Sequence, residues 1–422
     1  MPIYINNKKI SGGLEPMGIQ YDPATDTVIR IGDFDAHRCL PVQNNIKGVI
    51  LDDLGREVCE LPDDDWTSIA RDGSLGQVMV RIPEHWMKWI VRNGTIERTW
   101  LSHVHRPGFT HIPRRYVSAY QATIDRTVAA TPKLASVVNL TASFRGGNNT
   151  SSWDNTYRSL LGMPATNISL TNFRAYARNR NNGDWRWNCM MYAIQRDLFW
   201  LFATEYGSFD IQADFNASLD ANGFRQGGLG PGVSTTTDAG WNTYNSHNPF
   251  IPCGVSDTLG NHSGVVSYSP KASDGSSDWA TFSVPRFHGI ENPYAHIWQW
   301  TDGILRGIDN TSIYICDKPS AYSSSINGNY IHKFDMSVGN GWIQNINFNS
   351  DGDIIVKSYG GGASTRYHDY SWNNNSDNAV HGLLFGGGAH YGGNCGLLCA
   401  YASSAPADAL AHVGSRLCFA VS

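Results

Sequence analysis

A chain of 422 residues is long enough for two or three domains and a sizeable hydrophobic core. Charged residues make up 16% of it and the formal net charge is -5, which gives no electrostatic reason to expect a nucleic-acid partner. No segment approaches the roughly eighteen uninterrupted apolar residues of a membrane span, so we expect no insertion into a membrane. The first residues show no signal-peptide pattern and no lipid-attachment cysteine, which predicts synthesis in the cytosol.

The cysteines are scattered and lack the paired CxxC spacing of a zinc site. The sequence therefore predicts ordinary reduced thiols, with no metal ion and no cofactor. Two other short spacings, His103-Val-His105 and Asp351-Gly-Asp353, lack the further ligands that a metal site needs. The eight cysteines are Cys39, Cys59, Cys189, Cys253, Cys316, Cys395, Cys399 and Cys418.

The first part of the chain is rich in short strand patterns. Residues 27–32 and 76–83 are strand-like, and the second of them alternates apolar and polar side chains at period two. Residues 48–55 are typical of a short hairpin. Residues 85–92 predict a further strand that ends in an Asn93-Gly94 turn. Residues 1–112 are therefore predicted to form a smaller, β-rich N-terminal domain.

The pattern changes beyond residue 112. Residues 115–125 predict a strand, and the Asn-, Gly- and Ser-rich stretch from Arg145 to Asn155 predicts an exposed loop. A first helix is predicted from the capping residue Ser169 toward Gly183, and a second from 188 to 206, where apolar residues recur at helical spacing. The remaining two hundred or so residues indicate short strands and long loops.

The segment from Pro285 to Ile304 combines a Pro turn with an aromatic strand. Glu291 has no carboxylate or histidine partner at a useful sequence spacing, which makes a catalytic role unfavourable. We therefore predict a structural role for Glu291, Asn292 and the two tryptophans of this segment.

The last part of the chain, from Phe385 to Phe419, has the pattern of a rigid backbone that carries side chains of many different types. Glycines recur between a few apolar positions, and small residues allow the tight turns of such a frame. Tyr, His, Asn and Ser lie between them, and antibody loops use the same residue types as an adaptable contact surface. The pattern favours recognition over catalysis.

The run Gly289-Ile-Glu-Asn-Pro-Tyr-Ala-His-Ile-Trp-Gln-Trp-Thr-Asp-Gly303 resembles an element of the C-type-lectin-like fold of formylglycine-generating enzymes and of phage tail proteins built on that fold. Residues 116–122, the two predicted helices and Gly414-Ser-Arg-Leu-Cys-Phe419 resemble further parts of variable proteins diversified by retroelements, the family of the major tropism determinant. The resemblance covers residues 113–422. It implies an α+β, C-type-lectin-like fold with two helices, many short strands and long loops, preceded by the β-rich N-terminal domain for virion attachment and oligomerisation.

In this family, Asn codons are randomised at their adenines, so Lys, Gln, Glu, Met and Trp cannot arise. Residues 373–422 contain none of these five types, in agreement with a variable region at about 386–417. The resemblance implies scaffold roles for Gly386, Gly387, Gly396, Gly414 and Arg416. Strand alternation leaves open that Tyr391, Cys399 and Tyr401 face inward instead. The contact positions that the resemblance implies are Ala389, His390, Tyr391, Asn394, Cys395, Cys399, Tyr401, Ser403, Ser404, Leu410 and His412.

The resemblance further implies a non-enzymatic receptor-binding protein at the tail tip of a phage or prophage virion, synthesised in the bacterial cytoplasm. Its expected partners are a host cell-surface receptor, either protein or glycan, other tail proteins, and two further copies in a homotrimer. One alternative is a variable protein displayed on the bacterial cell surface. Another is an oxidoreductase of the formylglycine-generating type, in which Cys395 and Cys399 would activate oxygen. We expect no enzymatic activity, because a shared fold does not carry a shared function.

Overall fold

The computed structural model describes residues 3–5, 8–11, 14–92, 96–128, 130–138, 161–234, 236–237, 240, 249–270, 277–374 and 376–421. The predicted Asn93-Gly94 turn and the predicted loop between Arg145 and Asn155 lie outside these residues. The fold is α+β and consists mainly of strands with few helices, which confirms the predicted α+β class. Among the described helices, none is long and apolar enough to cross a membrane.

The helices of the described residues are α1 (Phe34–Cys39), α2 (Leu170–Arg178) and α3 (Tyr192–Tyr206). The strands of the first half are β1 (Ile3–Ile5), β2 (Lys8–Ser11), β3 (Met17–Asp22), β4 (Thr27–Gly32), β5 (Lys47–Leu51), β6 (Glu57–Glu60), β7 (Gln77–Ile82), β8 (His85–Arg92), β9 (Ile96–Ser102), β10 (Thr110–Ile112), β11 (Arg115–Ser118), β12 (Thr123–Asp125), β13 (Lys133–Ala135) and β14 (Trp187–Cys189). Those of the second half are β15 (Phe215–Asn216), β16 (Gln226–Gly227), β17 (Gly264–Tyr268), β18 (Phe282–Phe287), β19 (Ile290–Glu291), β20 (Trp298–Arg306), β21 (Ser312–Ile315), β22 (Ile331–Asp335), β23 (Gly339–Ile346), β24 (Val356–Tyr359), β25 (Tyr370–Asn373), β26 (His381–Gly386), β27 (Gly396–Ser404), β28 (Val413–Gly414) and β29 (Leu417–Ala420).

Both predicted helices form, with one changed boundary in each. The first, α2, ends at Arg178 and continues as a 3₁₀ turn over Asn179–Asn181, before Gly183. Ser169 caps α2, since its side-chain oxygen accepts a hydrogen bond from the backbone N–H of Asn172 at 3.3 Å. Gly207 ends α3 in the left-handed conformation. The second helix was predicted to begin near 188, but residues 187–189 form β14, which pairs with β29. The helix α3 is buried on nearly all sides. Its first residue is therefore set by packing with the rest of the fold, which the local spacing of apolar residues does not show.

Two sheets build most of the chain beyond the first strands. A nine-stranded sheet has the order β22-β21-β20-β26-β27-β25-β23-β24, with β28 paired to β20. A six-stranded sheet has the order β14-β29-β11-β7-β5-β6. The predicted division after residue 112 is crossed by this second sheet, because β7 pairs with β11 and β11 pairs with the C-terminal β29. Residues 47–82 therefore belong to the same folded body as the end of the chain.

A buried charge network also joins early and late segments. The carboxylate of Asp257 accepts hydrogen bonds from Arg71, from Arg286 at 3.1 Å and from the Tyr120 hydroxyl at 2.7 Å. Glu291 accepts from the backbone N–H groups of residues 254 and 256 at 3.0 and 2.7 Å. Burial, with the neighbouring Asp257 charge, raises the pKa of Glu291 to about 6. Glu291 thus holds a turn in place, the structural role that its sequence context predicts.

The carboxyl of Glu97 in β9 should make stability pH-dependent. It lies opposite Tyr21 of β3, and burial raises its pKa from the ordinary 4.5 to about 7, partly offset by the Lys357 charge. The pKa is higher in the folded chain, so the associated stability is complete below pH 4.5 and is lost as the pH rises toward 7. We expect Glu97→Gln to raise the free energy of unfolding by about 2 kcal/mol more at pH 8 than at pH 5. Urea denaturation at both pH values measures this.

The matched control for this test is Glu84→Gln, because the Glu84 side chain is 62% exposed. We expect it to change stability by less than about 0.5 kcal/mol at either pH. An equal gain from Glu97→Gln at pH 5 and pH 8 would contradict the argument.

Candidate ligand-binding face

Two rows of aromatic side chains lie on one face of the nine-stranded sheet. Trp342 of β23 pairs with Tyr370 of β25, and Trp372 of β25 pairs with Tyr401 of β27. Because residues two apart on a strand share a face, Tyr370 and Trp372 place both pairs on the same side. Leu384 of β26 pairs with Tyr401 and extends the second row, and its side chain is buried in the core.

The rings of these residues form a continuous cluster together with Tyr391. Tyr370 and Trp372 are 4.5 Å apart between ring centroids, Trp342 and Tyr370 are 5.5 Å apart, and Trp372 and Tyr391 are 5.0 Å apart. Each of the five side chains is partly exposed. We call Trp342, Tyr370, Trp372, Tyr391 and Tyr401 the aromatic face. Large amphipathic rings of this kind give much contact area at a low cost in conformational entropy.

Trp298 forms the floor of the aromatic face. It is 2% exposed, and its ring lies 5.5 Å from that of Tyr391, 5.7 Å from that of Trp372 and 6.1 Å from that of Tyr401. This tryptophan belongs to the buried core, which fixes the rings above it. Burial also raises the pKa of Tyr401 above its ordinary value.

The turn that carries Tyr391 is held by the backbone beneath it. The backbone N–H of Ala389 donates to His296 O at 3.0 Å, and the side-chain amide of Gln212 donates to Gly393 O at 2.7 Å and also to Cys395 O. Gly387 has a φ of 84°, and a Cβ there would lie 2.5 Å from the Cys395 sulfur. These contacts use main-chain atoms and buried groups, so outward side chains can change without loss of the turn.

Several other predicted contact positions lie close to the aromatic face. The centre of the His390 ring lies 4.0 Å from that of Tyr391 and 6.4 Å from that of His412. Leu410 packs against the same core cluster as Trp372 and Tyr391. Asn394 ends the short turn that passes beside Trp342. All four of these residues, and Tyr391 and Tyr401 with them, are partly exposed.

The other predicted contact positions are buried, which corrects the expectation that they are accessible. Ala389, Cys395 and Cys399 are 0% exposed, and Ser403 and Ser404 are 9% and 4% exposed. Ala389 and Cys395 precede β27 and pack into hydrophobic core clusters. For Cys399, Ser403 and Ser404, the physical reason is that both faces of β27 are covered. Cys399 belongs to the cluster beneath the aromatic face, while Ala400 and Ala402 on the other side belong to the core around α3. Ser403 accepts a hydrogen bond from the backbone N–H of residue 374 at 3.2 Å.

The two cysteines of the oxidoreductase alternative lie in apolar surroundings. Cys395 and Cys399 are both free thiols, and the Cys395 sulfur donates to Gly388 O at 3.2 Å. Burial raises the pKa of both thiols, and the nearby Asp369 acts in the same direction. A reactive cysteine needs the opposite setting, with an accessible sulfur and a lowered pKa. Within the described residues there is no group of three or more His, Cys, Asp or Glu side chains that could hold a metal ion.

Arg416, expected to be scaffold, is fully buried between β28 and β29. Its guanidinium donates to Gln299 Oε1 at 2.9 Å, to Ser118 O at 3.1 Å, and to the carbonyls of Glu291 and Asn292. Burial lowers its pKa to about 10, so it stays charged at neutral pH.

Sequence reasoning missed three members of the face, Trp342, Tyr370 and Trp372. They lie before the predicted variable region, in segments outside the resemblance's contact positions. The available signal was the alternation Tyr370-Ser-Trp372 within a polar stretch, which places two aromatic rings on one side of a strand.

Comparisons with known proteins add little to this geometry. No protein-family model matches the chain, and no curated protein matches it. A solved structure, the Major Tropism Determinant U1 Variant, is similar over 80% of this chain and 72% of that chain, with 10% sequence identity and a TM-score of 0.22. A similarity at this level carries no argument about fold or function.

Proposed function

We propose that this chain is a receptor-binding protein of a phage or prophage tail, with a C-type-lectin-like domain and a ligand-binding surface diversified by a retroelement. The observation that carries the proposal is the aromatic face. It brings Tyr391 and Tyr401 of the predicted variable region together with three aromatic residues from outside that region. His390, Leu410 and His412 surround it on a buried frame.

The distribution of residue types on the aromatic face fits diversification by a retroelement. Tyr, His, Asn and Leu can arise from a randomised Asn codon, whereas Trp cannot. Trp342 and Trp372 lie before residue 373 and would be constant anchors, and the side chains at 390, 391, 394, 401, 410 and 412 would vary around them. Constant aromatic anchors with variable neighbours resemble the organisation of an antibody-binding site.

In this proposal the protein is not an enzyme and needs no cofactor. It resides at the tail tip, assembles as a homotrimer with other tail proteins, and binds a receptor on the host cell surface. Several copies on one particle multiply a modest affinity per copy. Immunogold labelling of phage particles and of cells tests this against display on the bacterial surface, which predicts label on cells alone.

Binding to intact bacteria tests the face directly. Fluorescently labelled full-length protein is incubated with a panel of bacterial strains, and bound fluorescence is measured by flow cytometry. Trp372→Ala and Tyr391→Ala are each expected to weaken binding to a recognised strain at least tenfold, because central aromatic residues dominate such interfaces. Trp185→Ala is the matched control: its side chain is 37% exposed and belongs to no ring contact of the face. Equal losses for all three variants would contradict the proposal.

The flanking DNA tests the diversification itself. A near-copy of the 3′ coding end that differs at adenines, beside a reverse transcriptase gene, is the expected arrangement. The differing codons should fall at 390, 391, 394, 401, 410 and 412. Differences concentrated at buried positions such as 395 and 399 would contradict the assignment of the face.

A further inference from the structure

A concave site lies beside the aromatic face. It has a volume of about 430 Å³ and lies between β4, the end of α3, the β15–β16 hairpin and the turn that precedes β25. Arg30, Arg225 and Arg366 line it, together with Asp210, Asp220 and His368. We call it the arginine cavity. Its volume is within the range of small-molecule sites.

The carboxylates of the arginine cavity are already engaged by their own turns. Asp210 accepts two backbone N–H hydrogen bonds on Oδ1, at 3.1 and 3.0 Å, and its Oδ2 lies 3.0 Å from the His368 Nδ1. Asp220 accepts two backbone N–H hydrogen bonds at 2.8 and 2.9 Å. Both acids therefore serve the local backbone, and their negative charge is partly compensated there.

The arginines are placed differently. Arg30 is fixed by hydrogen bonds to the carbonyls of Glu205 at 3.0 Å and Arg225 at 2.6 Å, with its guanidinium 4.9 Å from the centre of the Phe224 ring. The Arg225 side chain is 36% exposed, and its Nε is 3.8 Å from the Glu205 carboxylate. Arg366 is 55% exposed; its Nε donates a hydrogen bond to the Asp26 carbonyl oxygen and lies 3.7 Å from an Asp26 carboxylate oxygen. Arg225 and Arg366 thus keep accessible N–H donors at the mouth of the cavity.

The cavity and the aromatic face meet at His368. His368 lines the cavity, and its ring lies 6.0 Å from that of Trp342. Trp342 in turn lies 5.5 Å from Tyr370. A ligand a few sugar units long could place one unit in the cavity and the next units over the rings.

We infer that the arginine cavity binds the carboxylate of an acidic sugar, and that the ligand of the aromatic face is an acidic glycan. A planar guanidinium matches a carboxylate in a bidentate geometry, and aromatic rings with polar rims suit the apolar faces of sugar rings. The inference rests on the proposed function of the face and adds the chemical class of its ligand.

Matched carbohydrates test the inference. The full-length protein is applied to an array of oligosaccharides that contain uronic acid, sialic acid or Kdo, each printed also as its carboxyl methyl ester. The methyl ester keeps the sugar rings and removes the charge. We expect at least tenfold tighter binding to one acidic series than to its esters. Arg225→Gln and Arg366→Gln should each weaken that binding about tenfold, and Arg56→Gln, whose side chain is 71% exposed and lies elsewhere, should leave it unchanged.

The outcomes separate the ligand class from the face. Equal binding to acids and esters that depends on Trp372 overturns the acidic-glycan inference and leaves the face intact. Binding to cells that depends on Trp372 without binding to any array member overturns it in favour of a protein receptor, including an acidic peptide. If both Trp372→Ala and Tyr391→Ala bind cells as well as the unchanged protein does, the proposed function and the inference are both overturned.

Discussion

Arg416→Met is expected to lower the free energy of unfolding by about 3–5 kcal/mol. The guanidinium joins the side chain of Gln299 to the carbonyls of Ser118, Glu291 and Asn292, and it is completely buried. A methionine fills most of the volume but donates no hydrogen bond, so these acceptors would remain buried without their donor. Urea denaturation followed by tryptophan fluorescence measures the loss.

Two further variants make this expectation specific. Arg416→Lys should recover only part of the stability, because one ammonium cannot reach acceptors that a planar guanidinium spans. Arg56→Met removes a surface arginine that pairs with Asp52 four residues earlier and should cost less than about 1 kcal/mol. A loss for Arg416→Met no larger than that for Arg56→Met would show that the buried hydrogen bonds do not hold the C-terminal strand.

Arg416 also shows which features of the fold can be predicted from the sequence and which cannot. Its run Gly414-Ser-Arg-Leu-Cys-Phe419 indicates a closing strand with a scaffold arginine, and β28 and β29 are found there. The sequence does not reveal that the guanidinium bonds to Ser118, which is 298 residues away in the chain. Local patterns predict that an element exists, whereas pairings between distant segments depend on the packing of the whole fold.

The same limit explains the outcome for the candidate site. The residue types of the last segment indicate a contact surface, and the structure places six of the predicted positions on or around the aromatic face. Periodicity within a strand identifies alternate sides, but it does not say whether both sides are covered. For β27 both are covered, so Cys399 is buried although it lies on the same side as Tyr401. Trp342 and Trp372 belong to the aromatic face because β25, which carries Trp372, lies beside β27 in the sheet, and β23, which carries Trp342, lies beside β25. Local sequence patterns do not predict that neighbourhood.

Gly396→Ala is expected to destabilise the chain by about 2–4 kcal/mol and to weaken ligand binding by the aromatic face. Gly396 begins β27, and a Cβ at this position would lie 1.8 Å from Asp369 Oδ1. Asp369 cannot move away freely, because it is 1% exposed and its Oδ2 accepts a hydrogen bond from the backbone N–H of Leu398 at 2.7 Å. Gly328→Ala is the control, since a Cβ there meets nothing within 4 Å.

A double-mutant cycle decides whether the contact with Asp369 is the cause. Burial raises the pKa of Asp369 well above its ordinary value, and its carboxyl is held against β27 by shape and by backbone hydrogen bonds from that strand. Asp369→Ala alone should cost about 1–3 kcal/mol, through the lost acceptor and the space left behind. In the Asp369→Ala, Gly396→Ala double variant the new methyl group occupies part of that space. Its total loss should therefore be smaller than the sum of the single losses by at least about 1 kcal/mol. Additive losses would contradict this argument. They would mean that the contact with Asp369 is not the reason why Gly396→Ala destabilises the chain.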